Sequence, residues 1–113
     1  MEKHIQPIIP MTVASSELTN ETATYNLSKI FEDQALSDFN LIRFIVYPGQ
    51  RSVEDQHRSR EYWYIAKGEG RLTINGQDVI AKEGEVFFFN SLSTHQIINL
   101  SNDHNLEILS IWW

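Results

Sequence analysis

Four residues carry most of the chemistry this sequence offers: Asp55, His57, Glu61 and His95. Carboxylates and imidazoles ligate divalent metals and relay protons. Asp55 and His57 stand two apart, and alternate residues of an extended strand share a face. Glu61 follows His57 by four residues, across what must be a bend or bulge. His95 lies far off, just before another strand. In a closed barrel, strands distant in sequence become neighbours, so the four groups can converge on one interior point. Spacing alone leaves a second reading open, in which His57 and His95 are surface or hydrogen-bonded histidines of a small acidic protein.

Around this group lie residues with secondary claims. Arg58 and Arg60 suit bidentate binding of a substrate carboxylate or phosphate, or they are solvated on a strand edge. Trp63 shares strand parity with Glu61. It therefore either faces the interior beside the site, stacking on a sugar or aromatic ring, or is simply core. Phe87, Phe88 and Phe89 cannot all face inward on one strand, so at least one should lie outside or at a subunit contact. Trp112 and Trp113 would be a sticky patch if left in water, which predicts packing on the barrel or against a second subunit. His4 and His104 read as arm and turn residues rather than ligands.

The elements that must position these groups read as strands. Leu41–Tyr47 is dense in β-branched and aromatic residues, and Pro48-Gly49 ends it. Tyr62–Ile65 is another strand. Arg71–Ile74 and Gln77–Ile80 flank Asn75-Gly76, the best short-range hairpin signal in the chain. Glu85–Phe89, Gln96–Leu100 and Leu106–Trp113 follow, and residues 22–31 alternate loosely in the β manner. Ser15–Glu21 reads as a turn, residues 1–20 as an arm or short edge strand, and Glu32–Asp38 as a helical turn or loop. About eight short strands at regular spacing, without a sustained 3.6-residue period, predict an all-β sandwich or barrel.

Bulk properties narrow the function classes. The chain has 113 residues with 42% hydrophobic and 21% charged content, which fits one folded domain over 1–113. Nine Lys and Arg against 15 Asp and Glu give a net charge of −6. That sign argues against nucleic acid and against the anionic face of a membrane. No cysteine is present, which excludes disulfides and thiol catalysis. Met1–Pro7 lacks the basic and apolar regions of a secretory signal, and no apolar run approaches the ~20 residues of a membrane helix. A cytoplasmic protein is the expectation. The Asn-x-Ser/Thr sequences at Asn20, Asn26 and Asn99 then read as chance matches.

Two longer motifs add to this. Gly49, His57, Glu61 and Gly68 fit G-x5-H-x-H-x3-E-x6-G, with Asp55 standing where the first His belongs. Gly84, His95 and Asn99 fit G-x5-P-x-G-x2-H-x3-N, with Asn90 and Leu92 replacing the Pro and the second Gly. Together they resemble the two motifs of the cupin superfamily, in order and at a cupin-like separation. The stretch from His57 to Trp63, with Tyr47-Pro48-Gly49 before it, is also similar to the cupin domain of type II phosphomannose isomerases, though one extra residue separates His from Glu. Its spacing also resembles small stand-alone cupins of polyketide synthesis.

The resemblance implies a single double-stranded β-helix, or jelly-roll, barrel over residues 41–113. It implies that His57, Glu61 and His95 are ligands of a divalent transition metal: Mn, Fe, Ni, Co or Zn. Asp55 is a possible fourth ligand, harder than histidine but shorter, so its reach is open. The function expected is a metal-binding cupin acting on a sugar, sugar phosphate or small organic ligand, as an isomerase or dioxygenase. The alternative is a non-catalytic small-molecule binder without a functional metal. A homodimer is the expected assembly.

Overall fold

The computed structural model describes residues 15–28 and 39–113. Ten strands run through them: β1 (Ser15–Leu18), β2 (Thr22–Asn26), β3 (Asn40–Val46), β4 (Asp55–Gln56), β5 (Glu61–Lys67), β6 (Glu69–Ile74), β7 (Gln77–Lys82), β8 (Val86–Phe89), β9 (Thr94–Asn99) and β10 (Leu106–Trp112). They form two antiparallel sheets, ordered β1-β2-β3-β10-β5-β8 and β4-β9-β6-β7. No helix occurs among the described residues, and the architecture is the all-β barrel that the motif resemblance implies.

Alternation builds the core. Along β5, Glu61, Trp63 and Ile65 are buried while Tyr62 and Tyr64 face out. Along β10, Leu106, Ile108 and Ser110 point in, and along β9, His95, Ile97 and Asn99 do. Phe44, Val46, Leu72, Ala81 and Phe89 close the space between the sheets. Phe89 is buried and Phe88 exposed, as strand parity requires of the three phenylalanines. Tyr62 carries Trp113 stacked at 5.5 Å and Phe88 at 5.0 Å on the outer face, so Trp113 packs on the barrel.

Local signals account for the connections. Asn75 and Gly76 both adopt positive φ, at 49° and 80°, and close the β6–β7 hairpin. Gly70 lets β6 lie against β9: a Cβ there would stand 2.8 Å from Ile97 and 2.9 Å from the Ile98 carbonyl. Ser15–Leu18, expected both as part of a turn and, within residues 1–20, as an arm or short edge strand, is an edge strand paired with β2, the turn lying between Leu18 and Thr22. All four of its residues are exposed, so no hydrophobic alternation marks it. The expected features before residue 15 and over Glu32–Asp38, and His4, lie outside the described residues. Asn99 is buried at 2% exposure, its amide donating to the Val46 and His104 carbonyls, and is closed to glycosylation.

Candidate metal centre

The site lies at the barrel end where β4, β5 and β9 meet. Glu61 opens β5 and points inward at 6% exposure. Its two oxygens face different partners. Oε2 accepts the Trp63 indole N–H at 2.8 Å and the Ser110 hydroxyl from β10. Oε1 stands 3.0 Å from Nε2 of His57 and 3.0 Å from Nε2 of His95. The carboxylate is thus gripped on one side and presented to two imidazoles on the other.

Each imidazole is oriented from behind. Nδ1 of His57 donates to the Ser59 carbonyl at 3.1 Å, and Nδ1 of His95 to the Ser93 carbonyl at 3.3 Å. A carbonyl only accepts, so these bonds place a proton on Nδ1 and turn each Nε2 lone pair toward Glu61. Three acceptors, two nitrogens and one oxygen, then converge on one point. Such a contact closes only around positive charge, a proton or a metal ion. His95 is held further by Phe89, stacked at 4.3 Å, and by the edge of Trp63 at 5.1 Å.

Asp55 also reaches the cluster. It pairs directly opposite His95 across β4 and β9. Opposed side chains on one sheet face start about 5 Å apart at Cβ, which offsets the shortness of aspartate. One ligand atom from each of Asp55, His57 and His95 lies within 4.8 Å of the others.

The donor set fits a divalent cation. Glu61 Oε1 stands 3.0 Å from each Nε2, close enough for His57, Glu61 and His95 to share one ion. Two imidazoles and carboxylate oxygen suit first-row divalent metals, and the backbone partners behind each Nδ1 are the usual outer support of such ligands.

Burial and hydrogen bonding pull on Glu61 in opposite directions. Burial raises its pKa, but the bonds from His95, Ser110 and Trp63, with the charge of His95, outweigh that and hold it below the ordinary 4.5. The carboxyl is therefore ionised at neutral pH, the form a metal requires.

A cavity of about 470 Å³ opens over the site. Ile42, Phe44 and Trp63 form its apolar wall, and Asp55, Glu61 and Arg51 are among its polar groups. Trp63 is core at 4% exposure and also borders the cavity. Arg58 and Arg60 are exposed, do not line this cavity, and the Arg60 backbone pairs with Trp113. Two contributors, Ser110 and Arg51, were not singled out in sequence, and Phe89 was named only as one of three phenylalanines that cannot all face inward. Ser110 had one signal, a hydroxyl at an inward position of an apolar strand. Phe89 and Arg51 had none that separates them from neighbours of the same type.

The profile described as the cupin domain matches residues 42–112. The chain belongs to the cupin family. An oxalate-binding protein from Thermotoga maritima is 31% identical over 100 residues, covering 88% of this chain and 74% of that protein. The crystal structure of a predicted oxalate decarboxylase from T. maritima superposes with TM-score 0.73 at 28% identity, over 90% of this chain and 97% of that one. A Photorhabdus luminescens protein shares the fold at TM-score 0.77 and 22% identity, over 96% and 88% of the two chains. A mannose-1-phosphate guanylyltransferase from Klebsiella pneumoniae is 32% identical over 74 residues, 65% of this chain but 16% of that protein. No helix among the described residues is long and apolar enough to cross a membrane.

Proposed function

We propose that this cupin holds one divalent transition metal on His57, Glu61, His95 and Asp55, and binds and acts on a small organic carboxylate beside it. The observation that carries the reading is the convergence of Glu61 Oε1 and two oriented Nε2 atoms at 3.0 Å. The likeness to an oxalate-binding protein supports a carboxylate as the ligand class.

In this reading, His57 and His95 offer lone pairs fixed by the Ser59 and Ser93 carbonyls. Trp63 and Ser110 hold Glu61 so that one oxygen is always turned to the site. When bound, the ion supplies Lewis acidity and open positions for an oxygen ligand. The apolar wall of Phe44 and Trp63 lowers the local dielectric and strengthens each polar contact.

A second reading has a specific support. The T. maritima relative is described as binding oxalate, so the barrel could serve to hold a ligand without turning it over. A sugar-phosphate isomerase reading draws on the partial guanylyltransferase match and the stretch from His57 to Trp63.

Calorimetry with oxalate on the Mn²⁺-loaded protein, alongside assays for oxalate loss and for mannose 6-phosphate isomerisation, separates these. Metal-dependent oxalate binding is expected, and it should vanish with EDTA and in His95→Ala. Binding that survives both treatments would remove the metal from the account. Binding without turnover would favour the second reading, and isomerisation without oxalate binding the third.

A further inference from the structure

The cavity over the metal centre contains a cation for which the metal reading has no task. Arg51 is the one Lys or Arg among its described lining residues, which also include the carboxylates Glu17, Glu21, Asp55 and Glu61. The Arg51 backbone is clamped to β9. It bridges Ile98, the Gln50 carbonyl accepts the Asn99 N–H at 2.8 Å, and the Ser52 N–H donates to the Ile97 carbonyl at 2.8 Å. The Arg51 side chain, by contrast, makes no hydrogen bond or ion pair among the described residues, although three carboxylates besides Glu61 border the same space. A guanidinium among carboxylates would ordinarily take one as a partner. This one is left open to the cavity on a fixed stretch of backbone.

We propose that Arg51 determines specificity, selecting ligands that carry a second oxyanion at the end remote from the metal-binding head. The inference rests on the metal reading above and extends it to the shape of the ligand. Size points the same way. A two-carbon dicarboxylate, with both groups in one chelate ring, leaves most of 470 Å³ empty, and cavities of this volume hold considerably larger molecules. Chemistry divides the space into a polar end where Asp55 and Glu61 of the metal centre border it, an apolar wall of Ile42, Phe44 and Trp63, and Arg51. A short carbon chain with an oxygen-rich head and a terminal carboxylate or phosphate matches that order, and the planar fork of arginine pairs bidentately with either group. The acidic rim of Glu17 and Glu21 repels an anion, so Arg51 decides whether one is accepted at all.

The test compares ligands with one head and different tails on the Mn²⁺-loaded full chain, by calorimetry. 2-Hydroxyglutarate and 2-hydroxyvalerate share a 2-hydroxy acid head and differ in the terminal carboxylate. 3-Phosphoglycerate and glycerate make the same comparison for phosphate. The expected result is at least tenfold tighter binding of the charged-tail member of one pair, and the preferred pair tells carboxylate from phosphate. Arg51→Gln should erase that preference while leaving oxalate affinity within about twofold, and Arg51→Lys should keep part of it. Arg51 is exposed, so neither variant threatens the fold. Metal-dependent oxalate binding with no tail preference, or a preference that survives Arg51→Gln, overturns the role of Arg51 and leaves the metal reading standing. Failure of the wild-type chain to take up Mn²⁺ overturns both.

Discussion

The two oxygens of Glu61 have different neighbours, and the difference sets what each substitution does. Ser110→Ala removes one of the two donors to Oε2 in a buried setting. The cost expected is about 1–3 kcal/mol of stability, with metal affinity lower by about 10–100-fold, as for other partners that orient a ligand. Urea melts and metal titration of the variant check both, and a variant with wild-type affinity would show that Ser110 does not orient the carboxylate. Acid should act on the same residue. A carboxyl whose folded-state pKa lies below its unfolded value contributes stability that is complete above the unfolded value and lost as pH falls through the folded one. The metal-free protein should therefore weaken below about pH 4.5, and Glu61→Gln should flatten that limb of the stability curve. An acid limb identical in the two proteins would contradict the assignment.

Asp55, His57, Glu61 and His95 were legible in sequence because the motifs preserve their spacing, and strand pairing supplied what spacing lacked. Whether Asp55 reaches the cluster depends on its register with His95, a long-range fact that no local pattern encodes. Ser110 was legible only as an inward hydroxyl for a similar reason, since it gains a purpose only from a carboxylate 49 residues away.

Among the elements, the loop between β8 and β9 shows how a departure from a motif is absorbed. Leu92 replaces a glycine yet adopts φ 67°, the left-handed region that glycine prefers. Its N–H donates to the His57 carbonyl at 2.7 Å and its carbonyl accepts the Gln56 amide at 2.8 Å, so the conformation ties this loop to the metal-site segment. Left-handed backbone costs a non-glycine residue about 1–2 kcal/mol, and Leu92 is exposed. Leu92→Gly relieves that strain at an unfolded-state entropy cost of about 0.4–1 kcal/mol. A net stabilisation of about 0.5–1 kcal/mol is expected, with a loss for the β-branched Leu92→Val. A thermal melt showing the reverse order would mean that the strain is not there. Gly70→Ala should cost about 1–3 kcal/mol by forcing β6 from β9. The strong strands were readable from apolar alternation and the Asn75-Gly76 turn. β1 was readable only as an arm or short edge strand somewhere in residues 1–20, and the two-residue β4 only as extended backbone at Asp55, because their residues are exposed and only their partners define them.

At the scale of the whole molecule, metal and fold are linked. An ion that binds the folded chain alone stabilises it by mass action, about 2.7 kcal/mol at a concentration one hundred times its Kd. For a chain of this size that corresponds to a rise in Tm of roughly 10–20 °C. The barrel brings together strands far apart in sequence, so the ligand set exists only when both sheets are assembled. That coupling makes metal content a direct readout of the account. The most direct test is the metal stoichiometry of purified protein after supplementation with Mn, Fe, Co, Ni and Zn and exhaustive dialysis. The account predicts close to one equivalent in the wild-type chain and near none in His95→Ala or Glu61→Gln. Less than a tenth of an equivalent in the wild type, or equal retention by the variants, would contradict it.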